Sequence, residues 1–471
     1  ANSVYALHPM YLNMEALGKL DSSSKMKEYR AKAKELNELS AINYSAVNEL
    51  KWNYIRDIFA EKYDEIVADK NFKSFVKENA HWLKDYAVFS CLRDKYNTDN
   101  YAEWGEYAEY TEAKREAFIK KNKKVVELYY YVQYALDAQL CEAIKYLHSK
   151  GVVVKGDLPI GISATSVDAW VNPRLFNLDK QAGAPPDDFS VTGQNWGFPT
   201  YNWKNLKENE YLWWKNRLIT ASQFYQAYRL DHILGFFRIW AIPERDSTAI
   251  LGHAEPYASV SRKVLNQNGF EDDRLRWLSQ PHVKTSDIDY FTWNQQKSHE
   301  ILKQFCEKLD SEELWLFKKE IKGDKDIYDF DLSKFCESKE TCDKIKQCLA
   351  EYWNNRTLIE IKKNQFILVW SYSQTYPWST LSSDEQKLLE KIFEKNDIAQ
   401  NKLWKAQATD IFKNITSCVK MQPCGEDLGV GLPCVPSVMS DENIFGLNVV
   451  RWSRYWEKEN QPYVEYDKYR K

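Results

Sequence analysis

Lys155-Gly-Asp-Leu-Pro-Ile-Gly161, Gly183-Ala-Pro-Pro-Asp-Asp-Phe189, Gly193-Gln-Asn-Trp-Gly-Phe-Pro-Thr-Tyr-Asn-Trp203 and Tyr228-Arg-Leu-Asp-His232 all fall within residues 152–240, the last running into Gly235-Phe-Phe-Arg-Ile-Trp240. Val152-Val-Val-Lys-Gly-Asp157 and Phe224-Tyr-Gln-Ala-Tyr-Arg-Leu-Asp231 read as apolar strands that stop at polar residues. Residues 158–203 read as a loop dense in Gly, Pro, Asn and aromatic rings, and Tyr211 to Gln223 as a Trp-rich helix. A strand, an active loop, a helix and a second strand are how a barrel of parallel strands presents its chemistry at the carboxyl ends.

Outward from that stretch the texture is simpler. Residues 22–150 carry Ala, Leu and Tyr at mixed three and four spacing among Lys and Glu, which predicts helices over 25–50, 49–69, 71–96 and 112–150. Gly151 stands where the last of these must stop. Lys120-Lys-Asn-Lys-Lys124 reads as a solvated helix surface. Residues 244–410 form a charged segment with helical patches at 296–309, 384–393 and 403–415 and no motif that suggests chemistry. Cys418-Val-Lys-Met-Gln-Pro-Cys-Gly-Glu-Asp-Leu-Gly429 returns to a strand ending in a carboxylate, and Phe445-Gly-Leu-Asn-Val-Val-Arg-Trp452 predicts one strand more. The domains expected are 1–243, a partial barrel with a helical subdomain at about 22–125, then an inserted domain at 244–410, then a barrel continuation at 411–471.

Composition narrows the classes. The 471 residues are 44% hydrophobic and 28% charged, which is globular. A net charge of −3 gives no argument for nucleic acid or an anionic membrane surface. No run approaches the ~20 apolar residues that span a bilayer. The 18 Trp and 30 Tyr fit a carbohydrate partner, because sugar C–H faces stack on such rings, but from composition alone the aromatic core of a large enzyme accounts for them better. The nine Cys are odd in number and form no CxxC pair, and Cys336, Cys342 and Cys348 lack nearby His, so no zinc site is expected. Scattered thiols and no signal peptide point to a reducing, cytoplasmic setting.

Two carboxylates stand out. Asp231 ends an apolar strand beside Arg229 and His232. Arg229, two residues back, shares its side of the strand, and a cation there favours the ionised carboxylate that a nucleophile requires. An Arg–Asp pair serving only structure reads the same way. Glu426 ends the later strand next to Asp427. Mutual repulsion would leave one of the two protonated near neutrality, as a general acid needs; a helix N-cap at Glu426-Asp427-Leu-Gly is the structural alternative. Together a strand-end Asp and a strand-end Glu suggest glycosidic chemistry. Phosphate loops, HExxH and GxSxG are absent.

Lys155-Gly-Asp-Leu-Pro-Ile-Gly161, Gly183-Ala-Pro-Pro-Asp187, Gly193-Gln-Asn-Trp-Gly-Phe-Pro199, Arg229-Leu-Asp-His232 and Gly425-Glu-Asp-Leu-Gly429 resemble, in order, the signature blocks of 4-α-glucanotransferases, the amylomaltase or disproportionating-enzyme family (glycoside hydrolase family 77). The resemblance covers nearly the whole chain. Asp231 and Glu426 are 195 residues apart, an interval that exceeds that of compact amylomaltases and is similar to the disproportionating-enzyme-2 type with its long insert. It implies an α/β TIM-type (β/α)8 barrel with large helical insertions and a retaining transfer of an α-1,4-linked glucosyl unit. The implied donor is maltose or a maltooligosaccharide, and the implied acceptor glycogen or a heteroglycan. Asp231 would be the nucleophile and Glu426 the general acid and then base. Arg229 and His232 would hold Asp231 and the sugar, Asp187, Gln194 and Trp196 would line the acceptor side, and Asp157 would support its strand end. No metal or organic cofactor is implied.

One departure accompanies the resemblance. The family has a third carboxylate, an Asp preceded by His on a later strand, and neither Asp441 nor Asp467 has that context. The expectation is a barrel incomplete at both ends, with about half of its eight strands. Two other readings stay open: a non-catalytic glucan-binding protein, and an α-glucan hydrolase in which water wins the second step.

Overall fold

The computed structural model describes residues 2–310, 312–336, 338–429 and 431–465; Asp467 lies outside them. The described chain divides into two compact units. One is drawn from Ala1–Phe176, Asn202–Asp231 and Asn414–Cys424, the other from Asn177–Tyr201, His232–Lys413 and Gly425–Lys471. Helix and sheet are mixed in the chain.

The first unit is mainly helical. Ser22 and Asn43 cap the helices Ser23–Asn37 and Tyr44–Glu61 by accepting from Lys25 N and Ala46 N; such caps satisfy amides that have no partner within the helix. Helix Ala80–Tyr96 buries Leu83, Ala87, Val88, Phe89 and Leu92. Trp104 is wholly buried against it, its ring 4.9 Å from Phe89 and 5.7 Å from Trp170. Helix Lys123–Ser149 ends as the sequence predicts. Gly151 takes φ 73°, its amide bonds His148 O, and Val152 N bonds Leu147 O. This paired closure needs the left-handed backbone that Gly adopts without strain.

The unit's sheet has three strands in the order Lys155–Leu158, Ala227–Leu230, Gln422–Gly425. The first two are parallel and pair Asp157 with Arg229 and Leu158 with Leu230. Gly156, Leu158, Tyr228 and Leu230 are buried, while Lys155, Asp157 and Arg229 are exposed or half-buried. That is the period of two that strand geometry imposes. The strands thus exist where expected but start about three residues later than the apolar runs, since Val152 and Val153 are exposed.

The described residues of the second unit form three sheets. One has four strands in the order Gln194–Tyr201, Phe176–Ala184, Ile239–Pro243, His253–Glu255. Residues 158–203, expected as loop, therefore contribute two strands of 9 and 8 residues. Gly183 and Pro199 argue against strands in sequence, yet Gly183 is required by the pairing itself. A Cβ there would lie 2.0 Å from Gln194 O. The charged segment 244–410 supplies two further three-stranded sheets, in the orders His282–Lys284, Leu314–Phe317, Cys306–Lys308 and Leu358–Lys362, Gln365–Leu368, Val260–Ser261. These strands are 2–5 residues long, too short for a periodicity to show. Each packs into its own core, one around Val283, Phe305 and Trp315, the other around Leu265, Phe270 and Phe366.

Two more expectations are corrected. The helical patches at 384–393 and 403–415 belong to one helix of 33 residues, Ser383–Ile415. Residues 445–452 are not a strand: Phe445 O accepts one bond from Gly425 N, and Val450–Trp452 is a turn of 3-10 helix. Asp427 explains the difference, because its Oδ1 takes the amide of Leu447 and so removes a donor that a ladder would use.

Candidate active site

Asp231 follows directly on the central strand Ala227–Leu230, its amide bonded to Leu158 O. Arg229 reaches across the parallel register. Its Nη1 lies 2.8 and 3.0 Å from the two oxygens of Asp157 and 3.0 Å from Asp231 Oδ1. The alternation of the strand puts Arg229 and Asp231 on one side, and the register puts Asp157 beside them. One guanidinium thus bridges two carboxylates, a planar, fixed charge suited to that task. The Asp231 side chain is 39% exposed, open to a ligand.

Glu426 sits in the other unit and is buried. Its Oε2 accepts from His232 N and its Oε1 from Leu428 N, both at 3.0 Å. Asp427 turns away to Leu447 N, so the adjacent side chains diverge as the sequence suggests. Glu426 is not a helix N-cap; the next helix, Val435–Asp441, starts nine residues on. His232 has φ 45°, a left-handed backbone uncommon for a residue with a Cβ. That conformation turns its amide to Glu426. No propensity in the sequence signals it.

The remaining predicted residues cluster unevenly. Trp196 meets the His232 ring edge-on at 4.8 Å and stacks on Phe198 at 5.8 Å. Gln194 Oε1 accepts from Trp196 Nε1 at 3.1 Å and so orients the indole. Asp187 is exposed in the turn, its Oδ1 accepting from Phe189 N and Ser190 N. The sequence reading missed Trp370, whose Nε1 donates to Pro186 O at 2.9 Å in the same loop. A contact across 184 positions leaves no local signal. Among the described residues no group of three or more His, Cys, Asp or Glu could hold a metal ion, and no helix is long and apolar enough to cross a membrane.

The first unit supplies a partly exposed carboxylate held by a guanidinium; the second supplies a buried carboxyl fixed by two amides and an aromatic pair at Trp196 and His232. Comparison with known proteins gives the family. The family model described as 4-alpha-glucanotransferase matches residues 1–471. The chain is 32% identical over 468 residues to the 4-alpha-glucanotransferase DPE2 of Oryza sativa subsp. japonica, covering 95% of this chain and 48% of that protein. It is 34% identical over 242 residues to the 4-alpha-glucanotransferase of Chlamydia pneumoniae, covering 50% of this chain and 45% of the other. The solved amylomaltase from Streptococcus agalactiae in complex with acarbose aligns with a TM-score of 0.48 at 27% identity, over 54% of this chain and 53% of that one. The chain spans about half the length of the curated relatives it matches. It belongs to the 4-alpha-glucanotransferase family.

Proposed function

We propose that the protein transfers an α-1,4-linked glucosyl unit from maltose or a maltooligosaccharide to a glucan acceptor such as glycogen or a heteroglycan, by a retaining double displacement. The observation that carries this reading is the hydrogen bond from the amide of His232, the residue after Asp231, to the Glu426 carboxylate. Asp231 attacks the anomeric carbon of the donor while Glu426 gives its proton to the departing glycosidic oxygen. A β-linked glucosyl-Asp231 ester and a shortened donor result. An acceptor hydroxyl then gives its proton to Glu426 and attacks the same carbon, expelling Asp231 and restoring the α configuration. Such a mechanism requires the two carboxyl groups about 5–5.5 Å apart. Arg229 holds Asp231 in place through its Oδ1, Asp157 shares that guanidinium, and His232 and Trp196 give the sugar an aromatic surface.

The fold that suits this chemistry is the (β/α)8 barrel. Residues 1–243 and 411–471 would carry barrel strands and 244–410 an insert. The parallel pair Lys155–Leu158 and Ala227–Leu230, with the candidate nucleophile at its carboxyl end, supports it. A cytoplasmic setting is supported by nine free thiols. The test is glucose release from maltose plus glycogen by the natural polypeptide beside its Asp231→Asn and Glu426→Gln variants. Turnover should fall by at least ~1,000-fold in Asp231→Asn with the thermal melt unchanged; undiminished release would remove Asp231 from the chemistry. Lengthened acceptor chains separate transfer from hydrolysis.

A further inference from the structure

Resting on the reading above, we propose that a groove in the second unit binds a run of glucosyl residues of the acceptor glucan. The groove lies between the loop at residues 186–191 and the segment at residues 351–375. Its volume is about 860 Å³, at the upper end of the ~300–1,000 Å³ of small-molecule sites. Asp187, Asp188, Glu351, Asn354, Gln374 and Trp370 line it, and no Lys, Arg or His does.

That lining selects the ligand class. Three carboxylates without a cation repel phosphorylated sugars, nucleotides and nucleic acid. Amide and carboxylate groups instead offer donors and acceptors to paired hydroxyls. Trp370 supplies the apolar half of a sugar site. Its Nε1–H is held by Pro186 O, and its ring stands edge-on to Trp240 at 5.5 Å and 80°. Trp240 is itself fixed by an Nε1 bond to Ala249 O at 3.0 Å. The indole is therefore clamped along its edge, yet 40% of Trp370 remains exposed. A ring fixed beforehand loses little rotamer freedom when a sugar stacks on it.

The loop also gives the groove a direction. It runs from strand Phe176–Ala184 into strand Gln194–Tyr201, whose Trp196 meets His232. A glucan seated on Trp370 thus follows the loop that carries the Asp187 and Gln194 motifs. Trp370, Gln374 and Glu351 all come from the 244–410 segment, so this segment would set the preference for long acceptors over short ones.

The experiment is calorimetric titration of maltoheptaose and of maltose into the natural polypeptide bearing Asp231→Asn, which prevents consumption of the ligand. Trp370→Ala on that background should raise the maltoheptaose Kd about tenfold and the maltose Kd less than twofold. Gln374→Ala, a change at an exposed side chain, should raise the maltoheptaose Kd about threefold and keeps the test valid if Trp370→Ala disturbs the loop. An unchanged maltoheptaose Kd in both variants overturns the groove, as does an equal loss for maltose and maltoheptaose. Binding is read without turnover, so the two proposals separate. Wild-type transfer with unchanged binding in both variants sinks the groove alone; absent wild-type transfer with weakened maltoheptaose binding sinks the transfer reaction alone.

Discussion

Replacing Arg229 by Met removes one guanidinium from two carboxylates at once. Asp157 and Asp231 each bond the same Nη1, at 2.8 and 3.0 Å, so their nearest oxygens are at most about 6 Å apart. Unscreened by the cation, two unit charges at that distance repel by ~0.7 kcal/mol at the dielectric of water and ~3 kcal/mol at an effective value of 20. Half-exposure of both acids puts the effect between these limits. Asp231 also loses a charge-assisted hydrogen bond. A loss of about 2 kcal/mol from transition-state binding lowers kcat/KM roughly 30-fold. The fold should change little, since an exposed ion pair contributes ~0–1 kcal/mol to stability. The assay is initial-rate glucose release, with thermal melting alongside. The double variant Arg229→Met/Asp157→Asn supplies the decisive comparison: it cancels the repulsion and should recover part of the lost rate. The reasoning is refuted if Arg229→Met retains full activity, or if the double variant is no faster than the single one.

Two further outcomes follow from other parts of the molecule. Gly183→Ala places a Cβ 2.0 Å from Gln194 O and 2.6 Å from Ile242 Cδ1. It should cost about 3 kcal/mol or more and lower the melting temperature by on the order of 5–10 °C; an unshifted melt would mean that the two strands can separate freely. Burial pushes the Glu255 carboxyl up, but the His253 hydrogen bond and charge, with those of Lys180, outweigh it and hold it at about 2 against an ordinary value of 4.5. The unfolded chain therefore binds that proton more readily, and stability rises with pH in this window. The contribution is whole above pH 4.5 and lost as the pH falls toward 2. Lys180→Met should be less stable than wild type in urea at pH 6, with the gap closing on acidification; a gap that does not vary with pH contradicts the assignment.

Much of the candidate site is legible in sequence because its information is local. Arg229 and Asp231 share a side of a strand by the alternation of the pleat, and Glu426 and Asp427 must diverge for the same reason. The helix stop at Gly151 is likewise a property of one residue. Legibility fails where pairing over long separations overrides local preference. Phe176–Ala184 contains Gly and Gln194–Tyr201 contains Gly and Pro; the first is a strand because Ile239–Pro243 offers it a ladder, and the second because the first does. Val260–Ser261 and His282–Lys284 find their partners at Gln365–Leu368 and Leu314–Phe317, too far along the chain for a local window of sequence to contain the cause.

Sequence by itself determined the order of the motifs and singled out the two candidate carboxylates and the residues that flank them, since each is a matter of composition and spacing. The family follows from the same residues. Only tertiary structure decided which groups meet. It set Asp157 on the guanidinium that serves Asp231, through a parallel register 72 residues apart. It turned the His232 backbone to a positive φ so that its amide reaches Glu426. It also brought Trp370 to the loop at Pro186. The physical reason is common to all three. A hydrogen bond or a ring contact is made by atoms within a few ångströms, whereas a linear sequence specifies neighbours only along the chain.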